Sequence, residues 1–238
     1  MLPTGYALPM RLHPNTVILA ILTLATTGLA WFLLKHGKTT PVEAFAFVTG
    51  ALCVWLTVKE SAWNFPFSLL SPAAFFIVFF RAHLFADMSL QVVFFLLTLV
   101  GWYLWLFGGQ RHTALRVSRC TPMGILLAGL STIALTAAWW GLLELINGSA
   151  TFFDALLTAL SLTAQWLLNS KRLENWHFWI LADIVSIPLY IYKGLYLTAL
   201  LYGIFLIMAT MGYFAWRATW RRQQDSHTAF PVLMPEAA

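Results

Sequence analysis

The chain has 238 residues, 60% of them hydrophobic and 10% charged, with a mean hydropathy of +0.76 and a formal net charge of +5. Soluble globular domains do not reach that composition, so the chain is read as an integral membrane protein. The basic balance is then a matter of membrane topology and not of nucleic-acid binding.

Apolar runs long enough to cross a hydrocarbon core of about 30 Å fall at 15–35, 42–59, 64–82, 88–107, 122–146, 152–169, 175–193 and 198–220. The first follows Arg11 as a signal peptide would, but its apolar run is about 20 residues long and lacks a convincing small-x-small cleavage site, so it is retained as a helix. Eight spans predict that both termini share a side with Arg11, Lys59, Arg111, Arg116, Arg119, Lys171, Arg172, Arg217, Arg221 and Arg222. The other side carries Lys35, Lys38, Arg81 and Lys193, so both termini are expected in the cytoplasm. Cys53 and Cys120 offer neither a disulfide framework nor a metal-ligand spacing. The sequence contains no GxxxxGK loop, HExxH pair or GxSxG elbow, and no enzyme activity, cofactor or metal is expected.

Residues 43–105 laid on 154–216 at a constant offset of 111 match Trp55 with Trp166, Asn64 with Asn175, Phe67 with Phe178, Phe94 with Phe205, Gly101 with Gly212 and Trp105 with Trp216. Four helices separate the copies, which predicts parallel repeats about an axis along the membrane normal. The expected plan is all-α: 1–40 as an N-terminal segment with an extra helix, 41–108 as the first three-helix repeat, 109–150 as a linker helix, 151–220 as the second repeat and 221–238 as a disordered cytoplasmic tail. Glu43 and Asp154 stand in the opening turn of each triple's first helix, where a carboxylate suits the helix dipole. Asn64 and Asn175 open the middle helices, as N-caps or as substrate contacts.

Polar groups at membrane depth are costly and point to function. In the seventh span Trp176, Trp179, Asp183, Ser186, Tyr190 and Lys193 recur at spacings of three and four and form one stripe. Asp183, near the bilayer midplane, needs a partner, and a cationic aromatic ligand stacked on Trp179 would supply one. The alternative is a hydrogen-bonded acid that ties helices together. Lys193 reads as a residue snorkelling to the interface. Gln91 and Gln165 are placed to bond an amide or hydroxyl, or to link helices. Pro72 and Pro188 fall inside the two middle helices as kink sites. A second class, a retinal-binding photoreceptor or pump, needs Lys193 as the Schiff base. It stands ten residues from Asp183, roughly 15 Å along a helix axis, too far for a counter-ion on that helix.

The run from Glu174 to Tyr202, opening ENWHFWILAD, and the stretch from Trp63 to Trp105, with Leu90-Gln91-Val92 and Gly101-Trp102-Tyr103-Leu104-Trp105, resemble the PnuC family of bacterial vitamin transporters. The resemblance covers roughly residues 42–217. It implies a SWEET-like 3+1+3 arrangement in the bacterial inner membrane and facilitated diffusion of nicotinamide riboside by alternating access. It further implies trapping of the product by a cytoplasmic kinase, and a homotrimer. Relatives take thiamine or riboflavin, so the fold does not fix the vitamin. Carried over by position, the pocket comprises Gln91, Trp179 and Asp183 with Phe75 and Tyr190 as walls, and Asn64, Asn175, Trp176 and Ser186 join it from the stripe and helix starts. Relatives associated with nicotinamide riboside carry Asn where this chain has Ser71 or Asp183, and Gln in place of Arg81.

Overall fold

The computed structural model describes residues 14–37, 39–81, 85–145, 151–192 and 196–229. Among these, eight α-helices follow in order: α1 (Pro14–Lys35), α2 (Pro41–Val58), α3 (Asn64–Arg81), α4 (Phe85–Phe107), α5 (Pro122–Leu145), α6 (Thr151–Asn169), α7 (Asn175–Tyr192) and α8 (Tyr196–Ala229). Four are long and apolar enough, by length and composition, to cross a membrane, over Val17–Lys35, Leu90–Phe107, Pro122–Leu145 and Ala199–Asp225. The other four have 18 or 19 residues. At helical rise that is roughly 27 Å, close to the hydrocarbon thickness itself. Residues 221–229, expected in a disordered tail, continue α8 instead. Arg and Gln are good helix formers, so the arginine-rich stretch prolongs a helix already nucleated by packing.

Helix α3 packs on α2 and α4, and α7 packs on α6 and α8. Two further contacts join these groups, α2 with α8 and α4 with α6, while α1 lies on α2 and α8 and α5 packs on α6. The seam has a reciprocal form. Trp105 Nε1 donates to Leu168 O at 3.0 Å, and Trp216 Nε1 donates to Thr57 O at 3.0 Å. Donors and acceptors in the two bonds are related by the same 111 residues. The two indoles lie 5.7 Å apart, flanked by edge-on rings, Phe65 at 5.1 Å from Trp105 and Trp176 at 5.5 Å from Trp216.

Both α2 and α6 end in the same way. Glu60 (φ 55°) and Lys171 (φ 47°) adopt the left-handed conformation. Their N–H groups bond Thr57 O and Leu168 O at 2.9 Å, and the next N–H groups reach Leu56 O at 3.0 Å and Leu167 O at 2.9 Å. These are Schellman closures that satisfy terminal carbonyls and turn the chain sharply. They bring Lys171 Nζ to 3.5 Å from Glu60 Oε2, 3.0 Å from Leu115 O and 4.5 Å from the Trp105 ring. Burial pulls the Lys171 ammonium below its ordinary pKa, against the opposing pull of Glu60.

The segment leading to α5 docks on the α6–α7 turn. Ser118 N–H donates to Lys171 O at 3.0 Å and Leu173 N–H donates to Ser118 O at 2.9 Å. Glu174 then accepts from Arg119 Nε at 3.1 Å and from Cys120 N–H at 2.8 Å. Burial acts to raise the Glu174 carboxyl, but the Cys120 N–H and the Arg119 guanidinium prevail and hold it below its ordinary value. The neighbouring Cys120 thiol is pushed up to about 11, first by burial and then by Glu174.

Two predictions follow from this packing. A Cβ on Gly212 would fall on the Trp176 ring, as one on Gly101 would fall on Asn169 and Phe65. Gly212→Ala gains about 1 kcal/mol of helix propensity but incurs about 1–3 kcal/mol of overpacking. The expected net is a lower unfolding midpoint by tryptophan fluorescence; an unchanged midpoint would show that the ring yields freely. For Glu174, a depressed folded-state pKa gives stability that is complete above its ordinary value of 4.5 and is lost as pH falls through the folded-state pKa. Glu174→Gln should therefore lower the unfolding midpoint at pH 7, with the difference closing below about pH 4; a gap independent of pH would mean the carboxylate charge is not what the pocket uses.

Candidate functional site

Helix α7 carries the site because its three- and four-residue spacing turns one stripe toward α6 and α8. Trp179, Asp183, Ser186 and Tyr190 line a cavity of about 300 Å³, closed by Phe94 of α4, Asp154, Leu157, Thr158 and Ser161 of α6, and Tyr202 of α8. A second cavity of about 290 Å³ lies across the seam between the helix groups. Its walls come from α2 (Gly50, Cys53, Val54, Thr57), α3 (Asn64, Ser68), α6 (Gln165, Leu168), α7 (Trp176, Trp179, Asp183) and α8 (Tyr202, Phe205, Ala209). Trp179, Asp183 and Tyr202 belong to both walls and so form the partition between the two cavities.

The partition is aromatic with one acid in it. Tyr202 stacks on Tyr190 at 5.1 Å and 19°, and meets Phe205 edge-on at 6.0 Å. Asp183 is 7% exposed, and no Lys or Arg among the described residues forms an ion pair with it. The rest of the second cavity offers neutral polar groups. Cys53 Sγ and Ser68 Oγ are 2.7 Å apart, and Ser68 donates to Asn64 O at 2.9 Å. Trp176 Nε1 is buried without a partner. Gln165 donates to Asn169 Oδ1 at 2.9 Å, and Asn169 donates to Leu97 O at 2.7 Å, which ties α6 to α4.

Of the residues expected from sequence, Trp176, Trp179, Asp183, Ser186, Tyr190 and Asn64 line these two cavities. Gln91 does not join them. It lines a separate hollow of about 340 Å³ with Pro72, Ala73, Phe76, Ile77, Val92, Phe95 and Leu96, between α3 and α4. Asn175 lines neither cavity. Asn64 and Asn175 were expected to cap by accepting from backbone N–H groups, yet each donates its side-chain amide to the carbonyl three residues back, Ser61 O at 2.9 Å and Arg172 O at 2.6 Å. The tight turns after Glu60 and Lys171 place those carbonyls beside the amides. Asn175 Oδ1 is left buried without a partner. Phe75 belongs to α3, but its side chain, like those of Ser71 and Arg81, lies outside the described residues, as does Lys193.

Sequence reasoning missed Tyr202, Phe94, Thr158 and Ser161. Tyr202 was within reach, because it stands 111 residues after Gln91 and is its counterpart in the second half. Among the described residues no cluster of three His, Cys, Asp or Glu is arranged to hold a metal.

An all-helical molecule with membrane-spanning helices and polar, aromatic cavities among them belongs to the class of polytopic membrane proteins that admit a small molecule into the bundle. Residues 40–218 match the family described as Nicotinamide mononucleotide transporter. The chain belongs to that family, the PnuC family, whose members are membrane transporters and not enzymes. It is similar to the Nicotinamide riboside transporter PnuC of Escherichia coli, 27% identical over 201 residues that cover 74% of this chain and 84% of the relative. It is also similar to the PnuC of Haemophilus influenzae, 25% identical over 71% of this chain and 76% of that one. The Riboflavin/roseoflavin transporter RibM of Streptomyces davaonensis is 25% identical over 78% and 86%. The crystal structure of the Vitamin B3 transporter PnuC superposes with a TM-score of 0.68 at 23% identity, covering 87% of this chain and 96% of that one, which shows a shared fold. Membership in a transporter family displaces the photoreceptor reading.

Proposed function

We propose that this chain imports nicotinamide riboside across the bacterial inner membrane by facilitated diffusion. The observation that carries the proposal is Asp183, a carboxyl 7% exposed without a cationic partner among the described residues, set beside Trp179 between two cavities. A pyridinium ring supplies both missing terms, a positive charge for the carboxylate and a flat face for the indole. Ser186, Asn64 and the partnerless Trp176 Nε1 remain for the amide and ribose hydroxyls. Riboflavin, the substrate named for the Streptomyces relative, is neutral and makes no use of the acid.

Transport then proceeds by alternating access. All eight helices cross the membrane, and residues 41–108 and 151–220 form two parallel three-helix repeats in a SWEET-like arrangement, joined by a linker helix and preceded by an extra one. The repeats rock about the tryptophan seam so that Trp179, Asp183 and Tyr202 face one cavity and then the other. Both termini are cytoplasmic, and phosphorylation there retains the product. In favour of this reading are the reciprocal hydrogen bonds at offset 111, which give the two halves one shared contact to hinge on.

Titration of purified protein with nicotinamide riboside, thiamine and riboflavin, followed by tryptophan fluorescence and calorimetry, tests the assignment. Nicotinamide riboside should bind best, and a preference for thiamine would keep the site and change the vitamin. Asp183→Ala should weaken nicotinamide riboside by roughly thirtyfold, since losing one partner of a buried charge pair costs about 2 kcal/mol or more. Trp179→Ala should weaken it by roughly tenfold. Wild-type affinity in both variants, with protein still monodisperse, would remove these residues from the site. Tyr202→Ala should lose roughly two- to tenfold through its ring contacts, and more than Gln91→Ala; the opposite order would place the substrate in the α3–α4 hollow.

A further inference from the structure

A wide opening among the described residues lies away from the cavities of α7. It is a groove of about 900 Å³ between α1, the end of α2 and α8, lined by Leu19, Val58, Lys59, Glu60, Met211, Phe214, Ala215, Arg217, Ala218, Thr219, Arg221 and Arg222. Its wall has two regimes. Leu19, Val58, Met211, Phe214 and Ala215 make an apolar side. Lys59, Arg217, Arg221 and Arg222 make a basic end, where the single carboxylate, Glu60, is engaged by Lys171 at 3.5 Å. The change from apolar to basic falls between Val58 and Lys59 on α2 and between Ala215 and Arg217 on α8, so two adjacent helices mark one membrane–water boundary. The other large groove, between α5 and α6, carries Arg172 as its one cation, held by Arg119 O at 2.8 Å, whereas Arg222 here makes only long bonds to its own helix, Ala218 O at 3.4 Å and Thr219 Oγ1 at 3.5 Å.

We propose that the groove between α1, α2 and α8 binds an anionic glycerophospholipid, with its phosphate on Arg217, Arg221 and Arg222 and an acyl chain along Met211 and Phe214. Charge complementarity selects the headgroup, because basic pockets between membrane helices hold anionic lipids. The apolar wall selects a lipid over a free anion. From Met211 to Arg222 the groove follows α8 for roughly 16 Å, whereas a lone phosphate would occupy only the last turn. The arginines are one helical turn apart at 217 and 221, with Arg222 adjacent, a spacing that lets them converge on one phosphate. The site is separate from the proposed substrate path, and a vitamin assignment that failed would leave it intact.

The test uses the full-length protein in mild detergent, titrated with phosphatidylglycerol or phosphatidylcholine, with bound lipid read by native mass spectrometry and stability by tryptophan fluorescence. Phosphatidylglycerol should be retained and should raise the unfolding midpoint, with phosphatidylcholine doing neither. The triple variant Arg217→Gln, Arg221→Gln, Arg222→Gln should bind phosphatidylglycerol at least roughly tenfold more weakly, since each basic residue near a charged lipid surface contributes about fivefold. Ala218→Trp, which fills the groove without changing charge, should also lose the lipid. Arg111→Gln with Arg116→Gln, basic positions outside the groove, should retain it. Equal retention by the triple variant, equal loss in the Arg111/Arg116 control, or matching stabilisation by inorganic phosphate alone would overturn the proposal. So would a change of oligomeric mass in the triple variant, which would make the groove a contact between subunits.

Discussion

Two indole N–H groups, each bonded to a helix-end carbonyl of the opposite half, are the contact on which the rest of the molecule depends. Thr57 and Leu168 stand near the C-terminal ends of α2 and α6, and each carbonyl accepts from an indole and from the N–H of the turn that follows, Glu60 or Lys171. Trp216 adds a second donor at the end of α2 and Trp105 one at the end of α6, using the second lone pair of each carbonyl to tie α8 to α2 and α4 to α6. The Schellman turns that follow carry Glu60 and Lys171 to the same place and add an ion pair between equivalent positions. Lys171 keeps its burial tolerable by using Glu60, the Leu115 carbonyl and the face of Trp105 together.

The seam meets the second cavity at Thr57 and Leu168, which accept the seam bonds and line it, and at the ring of Trp176. Trp176 packs edge-on against Trp216 at 5.5 Å and also lines the cavity shared with Trp179 and Asp183. Gly212 exists as glycine to let that ring approach α8. Motion of α8 against α2 would thus displace a wall of the cavity directly, with no intervening chain of residues. Not every indole here is satisfied: Trp55 Nε1 and Trp176 Nε1 are buried without partners while Trp105 and Trp216 are bonded. Trp105 and Trp216 thus place their donors across the seam, while Trp176 keeps its donor unpaired at the cavity wall.

Helix positions were legible because a span is fixed by one number, the hydrocarbon thickness, and read as apolar run length; the observed helix ends fall within three residues of the expected ones in seven of eight cases. The eighth, α8, overran because polar but helix-favouring residues after Trp216 extend it beyond the apolar window. The α7 stripe was legible as a spacing, since side chains three and four apart share a face. The partners of that stripe were not. Which side chains from α4, α6 and α8 close a cavity depends on crossing geometry that no single-helix periodicity encodes. Gln91 illustrates the loss: its chemistry suited the site, but the packing of α3 on α4 gave it a different hollow, and its counterpart Tyr202 took the place beside Asp183.

The residues that match at offset 111 and those that line the cavities are largely different sets. The positions identical at offset 111 are those of the frame: Trp105 and Trp216 at the seam, Asn64 and Asn175 at the turns, Gly101 and Gly212 at close approaches. Along the cavity walls Asn64 and Phe94 also match their counterparts Asn175 and Phe205, but four other lining positions differ. Asp183 corresponds to Pro72, Trp179 to Ser68, Tyr202 to Gln91, and Ser186 to Phe75. A seam residue meets its own counterpart or that counterpart's neighbour, so a change in one half strains both, and the pair stays alike. A cavity-wall residue that does not touch its counterpart is not tied in this way to the residue 111 positions away. Asp183, Trp179, Tyr202 and Ser186 thus line cavities without an identical counterpart at offset 111, while the seam indoles keep theirs.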